Sequence, residues 1–502
     1  MVKTLVEGIC RHTHGPAIVA HGSTVDYPEL AARSRRAADR LATAHGARDL
    51  GEARVAFLMT PGADWVAVAL GIWRAGGIAV PLAVSHPPPE LDYVIRDAGA
   101  AFVIADDSFR ARVEPLAHAA GAGFLTADAL VSATGSAEPA RPDPPVAPDR
   151  RALMLYTSGT TGRPKGVVTT HDRLAAQTGT LVDAWAWTPA DRTLLVLPLH
   201  HVHGIINVVA CALWAGAVCE MHAGFDAAST WARLGSGDIS VFTAVPTVYH
   251  RLIAAFDAAP EADQRRMRDG CRRARLMMSG SAALPMPILE RWRGISGQVL
   301  LERYGMTEVG MALANPLGGP RHPGLVGAPL PGVEIRLADP QGRDVEPGTP
   351  GEIELRGPGV FLEYWRLPDA TERVFRDGWF RTGDVAVRED AGYRLLGRAD
   401  IDIIKTGGYK VSALEIEDVL RQHPAVADCA VVGVTDPEWG ERVCAAVEAA
   451  PEAAPDREAL QEWARGQLAP YKIPRTVRFV QALPRNAMGK VVKPEVAALF
   501  RE

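Results

Sequence analysis

Along the first 330 positions apolar residues come in short bursts separated by glycine stops, a pattern of alternating strand and helix. Arg54–Met59 (RVAFLM) predicts a strand, and Ala63–Ala75 a helix stopping at Gly76–Gly77. Ile78–Leu82 is a short apolar run, Pro89–Ala98 a helix, and Ala101–Ala105 (AFVIA) another strand. Strands that are apolar throughout are covered on both faces, so this order implies α/β layers around a mainly parallel sheet. Residues 134–149 are rich in Pro and Ala without periodicity and predict a surface connection. Ala152–Tyr156, Thr193–Leu197, Ser240–Ala244 and Ala274–Met278 continue the strands. From 331 to 397 short strands with frequent glycine turns, such as Gly351–Leu355 and Tyr393–Leu396, predict a β-rich subdomain.

The last hundred residues form a separate pattern. Ser412 and Glu415 have capping-box spacing and open a helix running to about His423. Val426–Val434, Arg442–Glu448, a helix from about Arg457 to Leu468, and Thr476–Val480 complete a small α+β domain. The expected division is a large domain over 1–397 and a small mobile one over 398–502.

A chain of 502 residues exceeds one hydrophobic core. Its 47% hydrophobic and 23% charged residues are those of a soluble globular protein. A net charge of −5 with no dense Lys/Arg run argues against a nucleic-acid binder, and no apolar run approaches a membrane span. The six cysteines form no CxxC pair and are too sparse for a disulfide scaffold. Residues 1–25 lack a basic start followed by an apolar core, and Glu7 and the scarcity of Arg and Ser count against a transit peptide, so a cytoplasmic setting is expected. The sequence leaves the oligomeric state open.

Chemistry concentrates after the strand at Ala152–Tyr156. Residues 156–167 read YTSGTTGRPKGV, with three glycines, clustered hydroxyls and Lys165. Glycines let backbone N–H groups converge on an anion, hydroxyls add donors, and a lysine adds a mobile charge, which suits a triphosphate. Pro164 stands where a Walker A loop has glycine, so this is a different device; a plain hairpin turn is the alternative.

This string resembles the signature of the adenylate-forming superfamily, which includes acyl-CoA synthetases, adenylation domains of peptide synthetases, and luciferases. The other motifs follow in order. The resemblance implies that Thr157, Ser158, Gly159, Thr160, Thr161, Gly162 and Lys165 hold the phosphates of ATP. It implies that Gly280, Ser281 and Ala282, in SGSAALP, line the adenine face and acyl pocket. In ERYGMTE, Glu302, Tyr304, Gly305 and Met306 would lie along the nucleotide and acid, Thr307 would hold a phosphate oxygen, and Glu308 would hold Mg²⁺. Asp384 would accept the ribose hydroxyls, a task suited to two coplanar acceptors, with Arg398 beside it. Lys490 would bridge the substrate carboxylate and α-phosphate, where two anions crowd. Gly408, in KTGGYK, would line the pantetheine path of coenzyme A in the second step. Lys490 and Gly408 share one domain but serve different steps, so a hinge at Asp400 is implied.

PLHHVHG at 198–204 departs from the family pattern: His200 replaces an aromatic residue, His201 matches the family histidine, and His203 is extra. No Cys or Asp accompanies them, so no zinc is expected. Arg303 carries the substrate argument. An arginine beside an apolar acyl tail is costly unless paired, and a second carboxylate on the acid would pair it, assisted by His201 or Ser279. With HVHG, SGSAALP and IIKTGGYKVSALEIE, the chain resembles malonyl-CoA and methylmalonyl-CoA synthetases in particular. The implied activity is an ATP-dependent dicarboxylate–CoA ligase acting through an acyl adenylate. If Arg303 instead pairs with Glu302 or another protein carboxylate, the acid is open to other short or aromatic acids. Separately, an adenylation enzyme that loads a carrier protein instead of CoA is an alternative. A nucleotide sensor is a third reading, which the presence of Lys165, Glu308, Asp384 and Lys490 disfavours.

Overall fold

The structure is a computed structural model and describes residues 4–133, 142–157, 163–399, 401–406, 409–451, 453, 456–485 and 490–501. Two large sheets lie at its centre. One runs, edge to edge, through Ala328–Pro329, Gly310–Ala314, Leu301–Met306, Leu276–Ser279, Val241–Ala244, Arg192–Leu195, Val218–Met221, Pro16–Ala20 and Ser23–Asp26. The other runs through Glu363–Tyr364, Lys165–Thr170, Arg151–Thr157, Ile78–Pro81, Arg54–Leu58, Phe102–Ala105 and Gly123–Thr126. The inner strands of both pair parallel, and antiparallel pairs occur only toward the edges.

Burial on both faces explains the continuous apolar strands. The main core joins the facing sides of the two sheets through the helices Tyr27–His45 and Ala63–Arg74. The latter is buried from Trp65 to Arg74, as a helix apolar all round must be. Gly71 makes this crossing possible, since a Cβ there would stand 2.6 Å from the Ala37 Cβ. A second core, centred on Trp231, Tyr249 and Trp292, covers the outer face of the first sheet. The helices Pro88–Ala98 and Arg110–Ala119 cover the second. The β-rich part is a five-stranded sheet of Glu334–Ala338, Gly351–Arg356, Trp379–Glu389, Phe375–Arg376 and Gly392–Arg398.

The C-terminal part has its own five-stranded sheet and two small cores, one on each face. Ser412 caps the helix Ala413–Arg421 by accepting the Glu415 N–H at 3.2 Å. The strand Gly392–Arg398 belongs to the β-rich sheet and the next strand, Ile403–Thr406, to the C-terminal sheet. The Ser412 hydroxyl donates to the Leu396 carbonyl at 2.6 Å and ties the two together.

Differences from the sequence expectation are local. The strand expected over Thr193–Leu197 is Arg192–Leu195, and the helix expected to reach Leu468 ends at Arg465, before Gly466. The hairpin and long helix within residues 16–45, and a π-helix over His203–Ala210, are elements the apolar pattern did not predict. Among the described residues no helix is long and apolar enough to cross a membrane.

Candidate functional site

The strand Leu301–Met306 organises the site. It lies parallel to Leu276–Ser279, with Ser279 opposite Glu302, and antiparallel to Gly310–Ala314. Successive side chains on a strand point to opposite faces. Arg303 therefore faces one way and Glu302 and Tyr304 the other. This corrects the suggested Arg303–Glu302 ion pair: adjacency in sequence separates the two side chains. Glu302 instead accepts the Gly324 N–H at 2.9 Å, and burial pushes its pKa up to about 7.

On its own face Arg303 is 3% exposed. Its Nη2 donates to His203 Nε2 and, at 3.2 Å, to the Thr243 hydroxyl. Arginine has no acceptor, so Nε2 accepts and His203 is neutral with its proton on Nδ1, which donates to Ser281 Oγ at 3.0 Å. Burial first, then the Arg303 charge, drives the His203 pKa well below its usual value. Among the described residues no carboxylate pairs with Arg303; burial dominates its environment, followed by Tyr249 and Cys211. Its pKa falls to about 10, so it stays charged at neutral pH. Arg303 Nε and Nη1, Ser279 Oγ, His200 Nε2 and His201 Nε2 are all buried without hydrogen-bond partners among the described residues. Gly280 makes room for the guanidinium, because a Cβ there would meet Arg303 Nη1 at 2.1 Å. Ser281 adopts a left-handed φ of 70° that turns its hydroxyl toward His203. Ala282 is exposed on the same turn.

The His201 ring lies tilted against His200 at 4.0 Å between centroids, and the His86 ring lies 5.6 Å from that of His200. Burial lowers the pKa of His201 to about 4, so it is neutral at pH 7.

The opposite face carries a second set of groups. Tyr304 donates its hydroxyl to Asp384 at 2.5 Å, and Arg398 Nε meets the other Asp384 oxygen at 3.0 Å. Burial raises the Asp384 pKa, opposed by Arg398, Tyr304 and Lys490. Lys490, from the C-terminal part, is thus within electrostatic reach of Asp384. Gly305, Met306 and Thr307 are half-buried where the strand turns, and Glu308 is buried beyond it. Glu308 accepts the Tyr364 hydroxyl at 2.8 Å, and Lys165 Nζ lies 5.1 Å from the centre of that same ring. Thr157 pairs with Lys165 across an antiparallel hairpin, so the glycine-rich loop joins two adjacent strands. Ser158, Gly159, Thr160, Thr161, Gly162, Asp400 and Gly408 lie outside the described residues.

The arrangement has two compartments divided by one strand. One holds a buried cation with spare donors and suits an anionic organic group. The other gathers a carboxylate flanked by Tyr and Arg, a buried carboxylate and two lysines, and suits a sugar and phosphates. His203, Thr243 and Tyr364 belong to these sets although the sequence reading gave them no role; the only available signal was the unexplained second histidine of HVH.

The chain matches the family described as AMP-binding enzyme over residues 8–365 and the AMP-binding enzyme C-terminal domain over 415–490. It is 46% identical to a Mus musculus protein named malonate–CoA ligase ACSF3, mitochondrial, across 94% of this chain and 86% of that protein. It is 42% identical to a malonate–CoA ligase of Arabidopsis thaliana, across 88% and 77% respectively. The crystal structure of ATP-bound MatB from Rhodopseudomonas palustris superposes with a TM-score of 0.90 at 36% identity, covering 100% of this chain and 99% of that one.

Proposed function

The chain belongs to the AMP-binding enzyme family, and on that premise we propose that it is an ATP-dependent malonate–CoA ligase, with methylmalonate as a second acid. Malonate and ATP give malonyl-AMP and pyrophosphate, and the thiolate of coenzyme A then displaces AMP. The observation that carries the choice of acid is Arg303, a buried cation with no carboxylate partner among the described residues. A buried unpaired charge is destabilising by several kcal/mol, and a substrate that brings the second carboxylate removes that cost. The names of the mouse and Arabidopsis relatives agree with this acid.

Roles follow from the two compartments. Asp384 and Arg398 receive the ribose, with Tyr304 fixing one Asp384 oxygen. The loop from Thr157 to Lys165 and Thr307 hold the phosphates. Glu308 is the residue that would hold the magnesium accompanying ATP, which would supply positive charge at the pyrophosphate; burial raises the Glu308 pKa, and a divalent cation would favour its charged form. Lys490 reduces the repulsion between the acid's reacting carboxylate and the α-phosphate. His201 Nε2 and Ser279 Oγ, without hydrogen-bond partners among the described residues, are the groups assigned to assist in holding the acid.

We assign the small domain to 398–502 and its hinge to Asp400, which lies outside the described residues. The passage of the chain from one sheet at Arg398 to another at Ile403 supports this. Rotation there would exchange Lys490 for Gly408 and admit CoA. The six cysteines are all free thiols, five of them buried, which suits a reducing compartment such as the cytoplasm.

Acid-dependent exchange between ATP and pyrophosphate tests the reading. Malonate should support the fastest exchange, methylmalonate should follow, and acetate, succinate and benzoate should be poor. Exchange with acetate or benzoate equal to that with malonate would overturn it.

A further inference from the structure

Asn207 is fully buried, and neither its Nδ2 nor its Oδ1 has a hydrogen-bond partner among the described residues. A carboxamide offers two donors and two acceptor sites, and a buried amide left unpaired is destabilising, so such a group points to a ligand. Its position says which one. Asn207 lies in the π-helix His203–Ala210, a helix type that recurs at functional sites. It stands four residues after His203 and four before Cys211, so the three share one face of continuous helix. His203 bonds to Arg303 at one end of that face. At the other end, burial pushes the Cys211 thiol up and the Arg303 charge pulls it partly back, so Arg303 is within reach of that position too. Asn207 lies midway between these two positions on that face, and Arg303 Nε and Nη1 are likewise without hydrogen-bond partners among the described residues.

We propose that Asn207 is a specificity-determining residue, the second arm of a clamp whose amide N–H donates to the distal carboxylate of the acid while Arg303 pairs with it. The arm is neutral, so it adds a directed donor without a second buried charge, and it has no counterpart to bind when the acid ends in a methyl group. This rests on the dicarboxylate reading above.

The test measures kcat/KM for malonate and butyrate in the wild type, Asn207→Leu, Asn207→Asp and Arg303→Met. Asn207→Leu keeps the volume and removes the donor; the malonate-to-butyrate ratio should fall by about thirtyfold, mostly through KM for malonate. Asn207→Asp sets a protein carboxylate against Arg303 in the place of the substrate's, and the ratio should fall by more than about a hundredfold. A ratio unchanged in Asn207→Leu, whether both acids fall together or neither moves, overturns the proposal. If Arg303→Met also fails to change the ratio, the dicarboxylate reading itself is overturned; if it does change it, only the role of Asn207 is lost.

Discussion

Tyr304 donates its hydroxyl to Asp384 across 2.5 Å, and Arg303, the residue before it, sits on the other face of the same strand. One strand thus separates the groups proposed for the acid from those proposed for the nucleotide. Removing the phenol should therefore be felt by only one of them. Tyr304→Phe is expected to raise KM for ATP about tenfold, the value of one hydrogen bond to a charged group. KM for malonate should stay within about twofold. Steady-state titration of each substrate at saturating levels of the others checks this, and an equal rise for both would show that the strand does not separate them.

Lys490 belongs to the small domain but contributes to the electrostatics of Asp384. Only the adenylation step crowds two anions. Lys490→Ala should slow pyrophosphate exchange by about a hundredfold or more while thioester formation from supplied malonyl-AMP continues near the wild-type rate. Equal loss in both half-reactions would remove Lys490 from its assigned role.

Glu302 predicts a pH effect on stability. Its folded pKa is about 7 against an ordinary value of 4.5, with burial as the first cause. The native state holds this proton over a range where the unfolded chain has released it. The contribution is fully present below about pH 4.5 and is lost as pH rises through 7. Glu302→Gln keeps an acceptor for the Gly324 N–H and does not titrate, so its Tm relative to wild type should rise between pH 5 and pH 8. Thermal melts at both values decide it, and a difference independent of pH would contradict the assignment.

Much of this was legible in the sequence because the signals were local. Val55, Phe57, Ile104 and Leu155 sit in apolar runs, and their strands are buried on both sides as such runs require. The Ser412–Glu415 cap formed at its expected place. The substrate compartment was less legible because it is assembled from distant segments. His203 seemed surplus until strand pairing brought Arg303, a hundred residues later, against it. Asn207 was a lone polar residue in IINVVA, and no sequence period distinguishes a π-helix from an α-helix over eight residues. The Glu302–Arg303 pair was misleading for the same reason: charge complementarity along the chain says nothing about faces of a strand.

The buried charge of Arg303 is proposed to exist for the acid's second carboxylate. Arg303→Met keeps an unbranched stem and removes the charge. The direct measurement is kcat/KM for malonate and for butyrate in the wild type and this variant. Malonate should lose about 3–5 kcal/mol of transition-state stabilisation, a few hundredfold or more, while butyrate loses far less or gains. A fall by the same factor for both acids would contradict the account.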